Sequence, residues 1–188
     1  MIKIDYSNMP LGASRCKFRM NYLLNVIRSW LYFSLKFKNV KYKGFVRVMK
    51  GTRFNKRYNF TLGHNVQFGL GCLLDTEVII GNNVLIAGRV SFVGKSDHTF
   101  NKSCQTIWDG SRGENQPVIV EDDVWIGYGS IIMSGVKIGA GSVIASGSIV
   151  TKDVPPCMIV GGNPAKIIKP RFDSEEDMSQ HLKWLSKH

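Results

Sequence analysis

The chain has 188 residues, 44% of them hydrophobic and 21% charged, which suits one domain with a sizeable core and excludes global disorder. The formal net charge is +11, but residues 1–57 hold 14 Lys/Arg against one acid, Asp5, while residues 58–188 hold 11 against 13 acids. The positive charge therefore belongs to one end and points to an anionic surface or partner there; no recognition motif for nucleic acid accompanies it, and none is expected to bind.

The basic N-terminal segment, residues 1–43, comes first in chain order. Between Lys17 and Lys38 its apolar run is cut by Arg19, Arg28 and Lys36, short of the ~20 uncharged residues a membrane span needs. No small-residue cleavage site follows an unbroken apolar run, so the expected location is cytoplasmic. Residues 18–35 carry helical periodicity, with Met20, Leu23, Leu24, Ile27, Trp30, Leu31 and Leu35 on one stripe and Arg19, Asn25, Arg28 and Ser29 largely off it. Such an amphipathic helix can bury its stripe over the open end of the main domain or lie on the anionic inner face of a membrane, and the two uses are compatible.

From residue 44 onward a period of six takes over. Apolar residues recur at Leu62, Phe68, Leu74, Ile80, Ile86 and Phe92, and again at Val120, Ile126, Ile132, Ile138, Ile144 and Val150. A second class follows four residues after each anchor: Val66, Cys72, Val78, Val84 and Val90, then Val124, Ser130, Val136, Ser142, Ser148 and Val154. Helix would need a period of 3.6, and hairpins would need alternation with paired turns. Six residues suit one short strand and one corner, and three such units close a triangular coil of 18 residues. Residues 62–79, 80–97, 120–137 and 138–155 are the expected coils, with a fainter, irregular one at Val48, Phe54 and Phe60.

The spacing breaks between Phe92 and Val120, so residues 93–119 leave the stack as a long excursion loop. A loop of that length in a compact domain is usually functional or disordered. It contains Ser96-Asp97-His98, Cys104 and Trp108. Residues 171–188 read as a C-terminal helix capped by Ser174, with Met178, Leu182 and Leu185 on one stripe. The cysteines, Cys16, Cys72, Cys104 and Cys157, form no C-x-x-C pair, against a zinc ribbon or a disulfide scaffold.

The run from Val118 through Glu121, Asp122, Asp123, Val124, Trp125 and Ile126 to Gly127 resembles the hexapeptide-repeat acyltransferases. The segments Gly135–Ser142, Val150–Pro155 and Gly162–Lys166 continue that likeness. Within that family the chain is most similar to the galactoside/maltose O-acetyltransferase branch, and closer still to lipopolysaccharide and exopolysaccharide O-acetyltransferases, which share a Ser-Asp-His in the excursion loop. The resemblance spans residues 44–172. It implies an all-β fold, a left-handed parallel β-helix over residues 44–170. It also implies a homotrimer with sites between subunits, acetyl-CoA as acyl donor, no metal, and a sugar or glycolipid acceptor.

By the same resemblance His98 is the general base for direct attack of a sugar hydroxyl on the thioester, a task suited to neutral imidazole. Asp75, Asn83 and Asp97 fall where acceptor contacts are expected. Asp75 reads as well as a corner hydrogen-bonding residue, and Asn83 reads first as a turn residue. Adjacency alone does not aim Asp97 at the imidazole, which a backbone carbonyl would orient as well. Trp125 matches a tryptophan beside the thioester arm. Tyr128 stands where the galactoside branch has serine, so its backbone N–H is the expected oxyanion donor. Ser146, Thr151 and Lys152 match pantetheine and adenine contacts. Lys166 and Lys169 replace phosphate-binding arginines, keeping the charge but not the bidentate fork. Other acceptors, an amino sugar or an antibiotic, and a non-catalytic scaffold remain open at this level. An acyl-cysteine route through Cys104 has no support in the spacing. A metal enzyme of the γ-carbonic-anhydrase kind would need histidines spaced five apart, and there are none.

Overall fold

The computed structural model describes residues 4, 6, 9, 11–95 and 97–187. The first coil is β1 (Val40–Tyr42), β2 (Val46–Val48) and β3 (Arg53–Phe54); the second is β4 (Phe60–Leu62), β5 (Val66–Phe68) and β6 (Leu73–Leu74). The third is β7 (Val78–Ile80), β8 (Leu85–Ile86) and β9 (Ser91–Val93), and the fourth β10 (Val118–Val120), β11 (Trp125–Ile126) and β12 (Ile131–Met133). The fifth is β13 (Lys137–Ile138), β14 (Val143–Ile144) and β15 (Ile149–Val150). A partial sixth ends in the antiparallel pair β16 (Met158–Gly162) and β17 (Ala165–Pro170). Every third strand stacks in parallel, giving three flat sheets: face A (β1-β4-β7-β10-β13), face B (β2-β5-β8-β11-β14-β16-β17) and face C (β3-β6-β9-β12-β15). The result is a three-sided prism.

Its core is the anchor series read from the sequence: all twelve anchors are buried, and so is the second class from Val66 to Val154. One residue in three of each coil thus reaches the axis, and burial is obtained only by stacking coil on coil. The inward serines of the upper coils are satisfied locally. Ser130 Oγ donates to the Gly127 and Ala145 carbonyls at 2.9 and 3.0 Å, and Ser148 Oγ to Ala145 O at 2.6 Å. Registers of Phe60 with Val78 and of Trp125 with Val143 confirm the 18-residue coil. The ends depart from it. Val40 pairs with Phe60 and Val46 with Val66, so the first coil is longer by two residues and begins at Val40, before the boundary marked by the repeat. Ile144 pairs with Val160 and Ile138 with Val154, so the coil expected at 138–155 is shorter by two. The cut falls at Thr151–Asp153, where Asp153 Oδ1 caps the Lys137 N–H at 2.8 Å, just ahead of Pro155 and Pro156, which have no N–H to continue the ladder. The excursion loop is Gly94–Pro117; Val93, Val118 and Ile119 belong to strands.

Helix α1 (Arg15–Leu31) continues into a π-helical turn, Tyr32–Lys36, and covers the open edge of the first coil. It does so with the face opposite to the apolar stripe. Tyr22, Ser29 and Phe33 are buried, with Phe18, Asn25 and Val26 half-buried beside them. Met20, Leu24, Ile27, Trp30, Leu31 and Leu35 are 43–76% exposed, and only Leu23 of the stripe is half-buried. Hydrogen-bond demand decides the orientation. Strand β2 is the outermost of face B and presents carbonyls without a neighbouring strand. Asn25 Nδ2 and Ser29 Oγ donate to Val46 O at 3.0 and 2.6 Å, and Arg28 donates to Val48 O at 2.7 Å. Below them an aromatic plug of Phe33, Phe37, Phe54, Phe60 and Phe68 seals the axis, with ring centroids 5.2–5.7 Å apart in mostly edge-to-face pairs. Helix α2 (Glu175–Leu185), capped by Ser174 Oγ accepting from Asp177 N at 3.0 Å, turns its Met178, Leu182 and Leu185 stripe inward. It is pinned to the A–B edge by Asp123, whose Oδ2 meets Arg171 at 2.6 Å and His181 at 2.8 Å. Among the described residues no helix is long and apolar enough to cross a membrane.

Candidate active site

The three edges of the prism are the corners between strands, and the candidate residues are distributed over them. The C–A edge holds Asp75, the excursion loop, Thr151 and Lys152. Asp75 is exposed in the second coil, and its carboxylate accepts a hydrogen bond from the Asn55 side-chain amide one coil below. In the third coil the loop departs, with Asp97 and His98 exposed close to its root; Ser96 lies outside the described residues. Asp97 Oδ1 accepts from Asn115 Nδ2 at 2.9 Å, so that oxygen is directed at the returning limb of the loop. Asn115 Oδ1 in turn accepts from the Lys95 N–H at 3.0 Å and from Ser134 Oγ at 2.9 Å. The two limbs of the loop are thereby tied to each other and to the fourth coil. Farther out, Thr99 Oγ1 donates to Ser111 O at 2.6 Å, and Phe100, Ile107 and Trp108 project from the loop with 58–89% of their surface exposed. Thr151 and Lys152 lie exposed on the same edge in the fifth coil.

Face B and its edge with face C hold a different set. Trp125 stands outward in a column between Leu85 below and Val143 above, and is exposed. Three residues on, the chain turns the B–C corner at Tyr128, whose exposed ring lies against Gly88, where an added Cβ would sit 3.2 Å from its Cε2. Gly129, at φ +69°, completes the turn and donates to Gly88 O at 3.0 Å. The Tyr128 N–H, at the preceding position of that turn, makes no hydrogen bond to a described residue. One coil higher, Ser146 is exposed directly above, with the Gly147 N–H donating to Tyr128 O at 2.8 Å. Gly127 permits this stacking: a Cβ there would lie 2.5 Å from Ser146 N. At the top of the face Lys166 and Lys169 are exposed on β17, paired with Gly161 and Ile159.

Asn83 is on the third, A–B edge. It adopts φ +57°, and its Oδ1 accepts from Asn65 Nδ2 at 2.9 Å, a ladder of corner amides. It is also on the rim of a groove of about 960 Å³ running between α1 and α2, with Arg28, Arg47 and Gln67. Within one chain, then, the fold gathers Asp75, Asp97 and His98 on one edge and Trp125, Tyr128 and Ser146 on another, with Asn83 apart from both. The C–A edge is the vertex opposite face B, so His98 and Trp125 do not meet in a single prism. Sequence reading missed Asn55, Asn115 and Ser134. Their only signal is that they are small polar residues at corners, a property shared with many turn positions. Cys104 is exposed in the loop at φ +56°. Among the described residues no group of three or more His, Cys, Asp or Glu side chains is placed to hold a metal ion.

Residues 117–152 match the family model described as bacterial transferase hexapeptide (six repeats). A hexapeptide-repeat-containing acetyltransferase from Vibrio cholerae of known structure is 32% identical, with 79% of this chain covering 82% of that one at a TM-score of 0.55. This chain belongs to the hexapeptide-repeat acetyltransferase family. The Vibrio protein complexed with acetyl coenzyme A aligns over 91% of this chain and 94% of its own, at 28% identity and a TM-score of 0.57. The galactoside O-acetyltransferase of Lactococcus lactis is 32% identical over 130 residues, 68% of this chain and 60% of its own length. The polySia-specific acetyltransferase NeuO is 29% identical, with 77% of each chain covered and a TM-score of 0.53.

Proposed function

We propose that the protein transfers an acetyl group from acetyl-CoA to a hydroxyl of a surface polysaccharide or of its lipid-linked precursor. The single observation behind this reading is the exposed imidazole of His98 at the braced root of a long loop on a hexapeptide prism. The family places acetyl-CoA on such a scaffold in the Vibrio protein, and two similar chains are named for galactoside and polysialic acid acetylation.

The chemistry asks for three things, and this chain has residues for each. His98 takes the proton of the acceptor hydroxyl as its oxygen bonds to the thioester carbonyl carbon, and returns it to the leaving sulfur when the C–S bond breaks. The unengaged Tyr128 N–H is a donor for the oxygen that becomes negative in between. Trp125 and Ser146 wall the pantetheine arm, Thr151 and Lys152 contact it or the adenine, and Lys166 and Lys169 offer charge to the phosphates. Asp75, Asn83 and Asp97 are left to the acceptor. Because these groups occupy different edges, the complete site needs a neighbouring copy, and a homotrimer of parallel prisms brings unlike edges together. The apolar loop side chains Phe100, Ile107 and Trp108 are suited to that neighbour.

The test is thiol release from acetyl-CoA with cell-envelope glycans, amino sugars and chloramphenicol-type alcohols offered side by side, followed by mass spectrometry of the product. Glycan O-acetylation is expected. His98→Ala should lower turnover by about 10²-fold or more, the scale of a lost general base, with CoA affinity nearly unchanged. Turnover near the wild-type value in that variant overturns the assignment, and exclusive use of a non-sugar acceptor overturns the substrate class.

A further inference from the structure

The exposed stripe of α1 has no use in the fold. Met20, Leu24, Ile27, Trp30, Leu31 and Leu35 form a continuous apolar band along the helix and its π-helical turn, each 43–76% exposed, while the opposite face makes the hydrogen bonds to the first coil. Exposed cations flank the band: Lys17 and Arg19 near its start, Lys36 and Lys38 at its end. No acidic residue occurs anywhere in 11–57. The ion pairs among the described residues use Lys137, Arg171 and His181, none of them in this segment.

We propose that this end of the prism docks on an anionic lipid surface, with the α1 stripe entering the interface and the surrounding lysines and arginines meeting the headgroups. Charge decides the occupant. A second copy meeting this stripe end to end would bring an equally basic surface against it and be repelled, and an anionic surface answers both the charge and the apolar band. Trp30 is an amphipathic ring suited to the headgroup level, and the helix lies flat along the coil edge, as an interfacial helix must. The excursion loop leaves the prism from the third coil, about 10 Å above the first at ~4.8 Å per coil, and α1 adds about 10 Å more, so the root of the loop would stand about 20 Å from the lipid. An acceptor sugar carried about that far from a lipid anchor is within reach, a consequence that rests on the acetyl-transfer reading; the docking itself does not.

Co-sedimentation of the intact protein with vesicles of phosphatidylcholine alone and of phosphatidylcholine with phosphatidylglycerol tests this. Binding to the anionic vesicles is expected to be at least about tenfold tighter and to weaken with salt. Trp emission should shift to the blue on binding, and Trp30→Phe should remove most of that shift. The double variant Ile27→Glu/Leu35→Glu should lose about tenfold or more of the vesicle affinity. Its melting temperature, oligomeric state and acetyl transfer to a water-soluble acceptor should be retained. Equal or absent binding to both vesicles overturns the proposal, as does full binding by the double variant. Dissociation of the double variant into smaller species also overturns it, because the stripe would then be a subunit contact. His98→Ala should bind vesicles like the wild type, so loss of activity and loss of docking are read separately.

Discussion

Cys72 and Cys157 lie inside the coils while Cys16 and Cys104 face solvent, so the four thiols differ in access. Burial pushes the Cys72 thiol above its ordinary value, outweighing the backbone and Thr52 contacts that act the other way. Burial likewise raises Cys157, against the lowering influence of Arg171. The thiolate is the reactive form, so raising these pKa values shrinks its share at neutral pH. Alkylation of the native protein near pH 7.5, read by peptide mass spectrometry, should label Cys16 and Cys104 at least about tenfold faster than Cys72 and Cys157. Rapid labelling of Cys72 would mean that the lower coils open far more often than their packing implies. The same inward position explains how Cys72 was legible in the sequence: it occupies a slot filled by Val66, Val78 and Val84 elsewhere, and a period of six assigns it to the core whatever its chemistry. The roles proposed for Trp125 and Tyr128 come only from resemblance, because an outward aromatic on a coil face carries no periodic signal of its own.

The excursion loop is the element in which few residues govern geometry. Asn115 joins Asp97, the Lys95 backbone and Ser134, and so fixes the root from which His98 projects. Asn115→Ala should lower kcat by about 10- to 100-fold, the scale of a small misplacement of a reacting group, with little change in the KM for acetyl-CoA. Steady-state kinetics beside a thermal melt check this; a large drop in melting temperature with kcat intact would show that Asn115 serves only the fold. Helix α1 shows why an element can be foreseen and still be oriented the wrong way. Two apolar rows share it: the larger one, from Met20 to Leu35, dominates the periodicity, and the smaller one, Phe18, Tyr22, Val26 and Phe33, is interleaved with Asn25 and Ser29. Hydrophobic content favours burying the first, but the bare carbonyls of Val46 and Val48 need donors, and only the second row brings them. That need arises from the tertiary arrangement, which spacing within the helix does not encode.

At the scale of the whole molecule, His98 on the C–A edge stands opposite Trp125 on face B, so the site proposed above is incomplete within one subunit. If the working site takes His98 from one copy and Trp125 from its neighbour, two crippled variants should complement each other. His98→Ala and Trp125→Ala, each purified nearly inactive, should recover activity when unfolded together and refolded as mixed assemblies, up to a fraction of the wild-type rate set by how often unlike copies adjoin. No recovery, with mixed assemblies verified by mass, would place both groups in the same copy's site.

The aromatic plug at the base of the prism has a further consequence. Phe33, Phe37, Phe54 and Phe60 precede the regular repeats in the chain and Phe68 is the second of their anchors, so a ribosome delivers the closed base before the later turns that rest on it. Each later turn can then crystallise on an ordered template instead of searching for one, and growth proceeds in the direction of translation.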